Sequence, residues 1–143
     1  MPVVLDAWHP EILAGRGLSH GAWDTSVFLD VIGAERPLAH GFAIAPMFGI
    51  GAMTGFRASD ARDDRTVWIV AGGGRVTLWR GFFASFEVGA VNHRTPTFSS
   101  SYEFATSLGW GHGSFRLSLR HVSNGGTGGR NWGSTMLLAG LGF

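Results

Sequence analysis

The feature that most constrains this chain is a period-two alternation of its large apolar residues. From Phe42 onward, Phe42, Ile44, Pro46, Phe48, Ile50 and Ala52 alternate with Ala43, Ala45, Met47, Gly49 and Gly51. The pattern returns as Phe82, Ala84, Phe86, Val88 and Ala90 against Phe83, Ser85, Glu87 and Gly89, then as Tyr102, Phe104, Thr106, Leu108 and Trp110 against Glu103, Ala105, Ser107 and Gly109. It continues in Phe115, Leu117 and Leu119, set against Ser114, Arg116, Ser118 and Arg120. The final segment sets Leu137, Ala139, Leu141 and Phe143 against Met136, Leu138, Gly140 and Gly142. Successive side chains of a strand point to opposite faces, so this is strand periodicity; an amphipathic helix would repeat every three or four residues.

The second face decides which kind of sheet this is. It is small, or charged with both signs, with Glu87 and Glu103 set against Arg116 and Arg120. Small and mutually neutralising groups suit the interior of a narrow barrel, and the bulky face suits lipid. Ion pairs filling that interior are a better reading of the two glutamates than a glycosidase carboxylate pair. With 15% charged residues, 45% hydrophobic residues and 23 glycines, a small water-soluble domain is an awkward fit.

Eight segments carry the pattern, at 11–19, 23–32, 40–56, 66–79, 82–93, 100–110, 114–123 and 134–143. An even number of tilted strands of about ten residues is the outer-membrane pattern, and eight is its smallest common size. The expected fold class is all-β: an eight-stranded antiparallel transmembrane β-barrel of outer-membrane type. Residues 1–143 form one domain, with 1–10 a short N-terminal extension. Gly72, Gly73 and Gly74 are expected to mark a bulge that shifts which face points outward. The uncharged stretch from Pro37 to Phe56 reaches helix-spanning length, but Pro46 and four glycines disfavour a helix interior. The start, MPVVLDAWHPEIL, lacks the basic region and long apolar core of a secretory signal. The terminal Phe143 resembles the carboxy-terminal assembly signal of bacterial outer-membrane proteins, and six tryptophans serve as interfacial anchors.

Loop lengths give an orientation. With both termini periplasmic, the connections after the first, third, fifth and seventh segments, near 20–22, 58–65, 93–100 and 123–133, face outside. Arg80-Gly81 and Gly111-His112-Gly113 are then short periplasmic turns. A net charge of +1 gives no reason to expect nucleic acid. No cysteine is present, and the histidines at 9, 20, 40, 93 and 112 are dispersed, so no metal or other cofactor is expected. The alternating-sign loop from Arg57 to Arg65 lacks the ligand spacing of a calcium site and reads as solvated; its functional reading is contact with phosphates and their counterions.

One stretch carries chemistry. In RHVSNGG, residues 120–126, His121 and Ser123 are two apart on a strand and therefore share a face, which the alternation makes the bulky outer one. A neutral imidazole within reach can take the serine proton and make the hydroxyl a nucleophile. Backbone amides of Asn124-Gly125-Gly126 and Gly128-Gly129, with the Asn131 side chain, offer donors to an oxyanion. The bland alternative is an interfacial polar pair beside a glycine-rich loop.

His121-Val122-Ser123-Asn124-Gly125-Gly126, followed by Asn131, resembles the active-site motif of the PagL-type lipid A 3-O-deacylases, an outer-membrane barrel family. The likeness extends more weakly over 40–143 and is poor over 1–39. The resemblance implies Ser123 as nucleophile, His121 as base, the Gly126 amide and Asn131 as oxyanion donors, and Asn124 as loop support. It also implies hydrolysis of the ester-linked 3-hydroxyacyl chain at position 3 of lipid A, with lipopolysaccharide as the partner in the outer leaflet. Where the family carries a glutamate to orient the histidine, this chain has Thr135, with Ser134 beside it; Asp24, near the outer rim, is a candidate substitute. Two other readings stand beside this one: a non-catalytic barrel with a structural or adhesion role, and a soluble lipocalin-like carrier with its bulky faces turned inward. Whether the chain forms a homodimer is left open by the sequence.

Overall fold

The computed structural model describes residues 7–19, 22–54, 66–95, 97–127 and 133–143, and all but the Ala22 side chain within them. Eight long strands follow one another: β1 (His9–Ser19), β2 (Ala22–Ile32), β3 (Ala43–Thr54), β4 (Val67–Thr77), β5 (Phe82–Val91), β6 (Tyr102–His112), β7 (Phe115–Ser123) and β8 (Ser134–Gly142). Each pairs antiparallel with its neighbour in sequence, and β1 also pairs with β8, which closes the sheet into a barrel.

The alternation sets the register of every wall. Along β7 the even-numbered residues Arg116 to Val122 point in and the odd-numbered Phe115 to Ser123 point out. Leu108, Val70 and Leu137 stand outward at 64, 61 and 59% exposure, whereas Arg120 is buried at 1%. The barrel wall is therefore apolar outside, and among the described residues of the eight long strands its charges, Arg16 excepted, are inside. A one-residue slip of any strand would exchange the two sets, so register is strongly fixed.

The glycine run in β4 does not form the expected bulge. Pairing with β3 and β5 is continuous through Gly72, Gly73 and Gly74, and Arg75 still points inward with Ile69 and Ala71. The glycines answer to close approach instead. A Cβ on Gly73 would lie 2.0 Å from the Phe86 carbonyl oxygen of β5, and one on Gly72 would press on the Phe48 ring at 3.1 Å. The bulge lies elsewhere, between β2 and the two-residue ladder Arg36–Pro37, where three residues, 33–35, oppose two of β3.

The connections separate into two ends. At one, which holds the barrel's entry at β1 and its exit at Phe143, strands are joined by tight turns. His40-Gly41 and Arg80-Gly81 are consecutive left-handed pairs (φ 63 and 79°, 58 and 83°), the geometry that suits a hairpin's twist. The other end carries the long connections, including 92–101 and 124–133. In the first of these, Phe98 is fully buried and joins a cluster of Leu13, Met53, Val67, Val122 and Met136, sealing the interior at the loop end.

Ion pairs do fill the lower interior, where Glu11 and Asp30 hold three arginines. Glu11 accepts both terminal nitrogens of Arg75 (2.9 and 2.8 Å) and Nε of Arg116 (2.7 Å). Arg120 donates to Asp30 at 2.5 Å and to Ser107 at 3.0 Å. Glu87 is buried beside the Asp30–Arg120 pair without bonding either arginine. Partners across a barrel come from distant strands brought together by closure, and strand alternation carries no such information. A cavity of about 900 Å³, lined by His9, Glu11, Arg75 and Arg116 among others, opens at the turn end.

Candidate active site

His121 and Ser123 close β7 at the loop end, both on the outer face. Directly across on β8, register pairs His121 with Thr135, and the imidazole Nδ1 lies 2.9 Å from the Thr135 hydroxyl. That contact leaves Nε2 as the nitrogen available for proton transfer. On the other side, β6 sets Thr106 against His121 and Phe104 against Ser123.

Gly133 lies beside both candidate side chains. A Cβ on it would lie 2.8 Å from Ser123 Cβ and 3.2 Å from His121 Cε1, so the edge of the ring faces the serine across the glycine. Gly133 is also in the left-handed region (φ 64°), a second reason for glycine there. Among the described residues no hydrogen bond joins the imidazole and the serine hydroxyl. Ser123 Oγ instead accepts the Gly125 N–H at 3.3 Å. Catalytic hydrogen bonds commonly tighten only once substrate is bound.

The loop after Ser123 is a tight turn over 124–127. Gly125 and Gly126 both have positive φ (63 and 80°), and the Thr127 N–H closes the turn on the Asn124 carbonyl at 3.2 Å. The Asn124 side chain, fully buried, organises it: Oδ1 accepts the Gly126 N–H at 2.8 Å and Nδ2 donates to Ser100 Oγ at 2.7 Å. Asn124 thus occupies a supporting position. The Gly126 amide is committed to Asn124, and the amide turned to the serine belongs to Gly125. Asn131 lies outside the described residues, as does the charged loop 57–65.

Asp24 and Ser134 lie on the other side of the wall. Both are buried in the interior, where Ser134 Oγ donates to Asp24 Oδ2 at 2.6 Å and Ser26 donates to Oδ1 at 3.0 Å. Of Thr135, Ser134 and Asp24, Thr135 is the one brought to the imidazole. A hydroxyl there is ambiguous. If Nδ1–H donates to Thr135, Nε2 carries the lone pair that a base needs; if Thr135 donates to Nδ1, the proton is on Nε2 and the ring is inert as a base. A carboxylate would enforce the first arrangement.

Residues that the motif did not nominate brace the site. Thr97 accepts the Gly133 N–H through its carbonyl at 2.9 Å and the Ser19 hydroxyl through Oγ1 at 3.2 Å. Ser100 holds Asn124, and Phe98 anchors the segment in the core. The one signal for this in the sequence was a lone large apolar residue among hydroxyls in TPTFSS. Among the described residues no cluster of histidines and acids could hold a metal ion. Comparison with known proteins finds no matching family model, curated protein or solved structure.

Proposed function

We propose that this chain is a serine esterase of the bacterial outer membrane that removes the ester-linked 3-hydroxyacyl chain at position 3 of lipid A. The observation that carries this reading is the position of His121 and Ser123. They sit together on the outer, apolar wall at the loop end, where an interior enzyme would have no use for them. An ionisable ring on a lipid-facing wall needs a reason. An acyl ester near a headgroup in the outer leaflet meets such a pair side-on.

Three further features support it. Strands of nine to twelve residues, rising about 3.3 Å each and tilted about 40°, span roughly 25 Å, the height of an outer-membrane wall. Outward tryptophans lie toward both ends, with Trp8, Trp79 and Trp110 near the turns and Trp23 and Trp68 near the loops. The motif from His121 to Asn131 resembles that of the PagL-type deacylases.

The chemistry follows from the groups present. Ser123 Oγ attacks the ester carbonyl while His121 Nε2 takes its proton. The oxyanion that forms is met by the Gly125 N–H. Collapse expels the sugar oxygen, which takes the proton back from the imidazolium and leaves an acyl-serine. Water, deprotonated by the same Nε2, then attacks the acyl-serine, releasing the 3-hydroxy fatty acid and restoring Ser123.

Mass spectrometry of lipid A from outer membranes containing the chain, beside its Ser123→Ala variant, tests the proposal. Loss of one 3-hydroxyacyl mass that is absent with the variant is the expected result. Unchanged lipid A around a folded, inserted barrel would favour the second reading, a non-catalytic barrel, which the hydroxyl of Thr135 in place of an acid supports.

A further inference from the structure

Among the described outward-facing residues of the eight long strands, Arg16 is the single Asp, Glu, Lys or Arg. Elsewhere this wall is aliphatic, aromatic, small or hydroxylic, with histidines only near strand ends. A full charge on such a wall is unfavourable, more so the deeper it lies, so its retention needs an explanation.

Its position offers one. Register runs a continuous row across four strands on the outer face: His121 beside Thr135, Thr135 beside Leu18, and Leu18 beside Trp23. Arg16 lies two residues below Leu18 on β1, and its guanidinium carbon is 5.5 Å from the Trp23 ring centroid. The side chain therefore reaches up toward the loop end and lies against this row, as long cationic side chains do near an interface. Stacking occupies the face of a guanidinium and leaves its edge donors for an anion, and their fork geometry matches phosphate oxygens. The row covers three strand spacings, about 14 Å. A headgroup of two sugar rings is of comparable length, so one end can rest at Ser123 while a phosphate on the other meets Arg16.

We propose that Arg16, seated on Trp23, is the anchoring site for a phosphate of the lipid substrate, and that it sets which part of the headgroup is presented to Ser123. This deepens the esterase reading and rests on it for the substrate.

The test separates the two claims. Folded Ser123→Ala protein in detergent micelles, and the same protein with Arg16→Gln or Arg16→Lys added, are each titrated with bisphosphorylated lipid A and with lipid A stripped of its phosphates. Bound lipid is read by native mass spectrometry, and heat-modifiable migration confirms each barrel. The expected result is about tenfold tighter retention of the phosphorylated form, lost with Arg16→Gln and partly kept with Arg16→Lys. Equal retention of both lipids, or a preference that survives Arg16→Gln, overturns the proposal. Turnover by the unsubstituted chain is followed in parallel. Phosphate-dependent retention without turnover keeps the anchoring site and overturns the esterase; turnover without phosphate preference does the reverse.

Discussion

His121 Nδ1 and Thr135 Oγ1 face each other 2.9 Å apart across the β7–β8 ladder, on the outer surface of the barrel. The partner is a neutral hydroxyl, which accepts from or donates to the ring with equal ease. Under the proposed esterase function, Thr135→Glu should therefore raise the rate of deacylation by roughly tenfold or more, because a carboxylate holds the base in its useful tautomer and stabilises the imidazolium. Thr135→Val should lower it. Turnover of lipid A in detergent micelles measures both, and an unchanged rate with glutamate would show that histidine orientation does not limit the reaction.

Gly133→Ala should silence the site without unfolding the barrel. The new methyl would meet Ser123 Cβ at 2.8 Å and the Val122 carbonyl at 2.8 Å, on a backbone whose φ of 64° already disfavours alanine. The loss of stability is expected at about 1–3 kcal/mol, with activity falling by roughly 100-fold because reacting groups shift relative to one another. Urea unfolding in lipid vesicles beside a turnover assay distinguishes the two effects; parallel losses would mean a general folding defect.

Asn124→Ala should act through the turn. It removes the acceptor of the Gly126 N–H and the donor to Ser100, both in a buried setting. Stranding those groups should cost about 2 kcal/mol. Faster amide hydrogen exchange at Gly126 is the specific signature, and unchanged protection there would count against the role assigned to Asn124.

The interior pair predicts a non-additive response. Arg120→Met alone leaves Asp30 buried beside Glu87 without its cation, at about 3–5 kcal/mol, whereas Asp30→Ala leaves Arg120 with Glu87 beside it and costs less. The double variant should lose distinctly less than the sum of the two, as equilibrium unfolding of all four proteins would show. Additive losses would mean that the two side chains do not act as a pair.

The alternation from Phe42 and from Phe115 placed Ile44, Phe86, Leu117 and Leu137 outside and Glu87, Ser107 and Arg120 inside, and the structure has them so. The glycine run misled, because a glycine demanded by a neighbouring strand's backbone reads the same as one demanded by a bulge. Gly73 is the first kind.

Sequence by itself determined the period, the number of strands, the short and long ends, and the fact that His121 and Ser123 share a face. All of these follow from spacing along one chain, where side-chain direction repeats every two residues. Only the tertiary structure decided which residues meet across the barrel: Thr135 with His121, Ser100 with Asn124, Asp30 with Arg120, and Arg16 over Trp23. Those contacts are set by register and by closure of β1 on β8. Register is a collective outcome of eight strands packing their inner faces at once, and no local stretch of sequence encodes it.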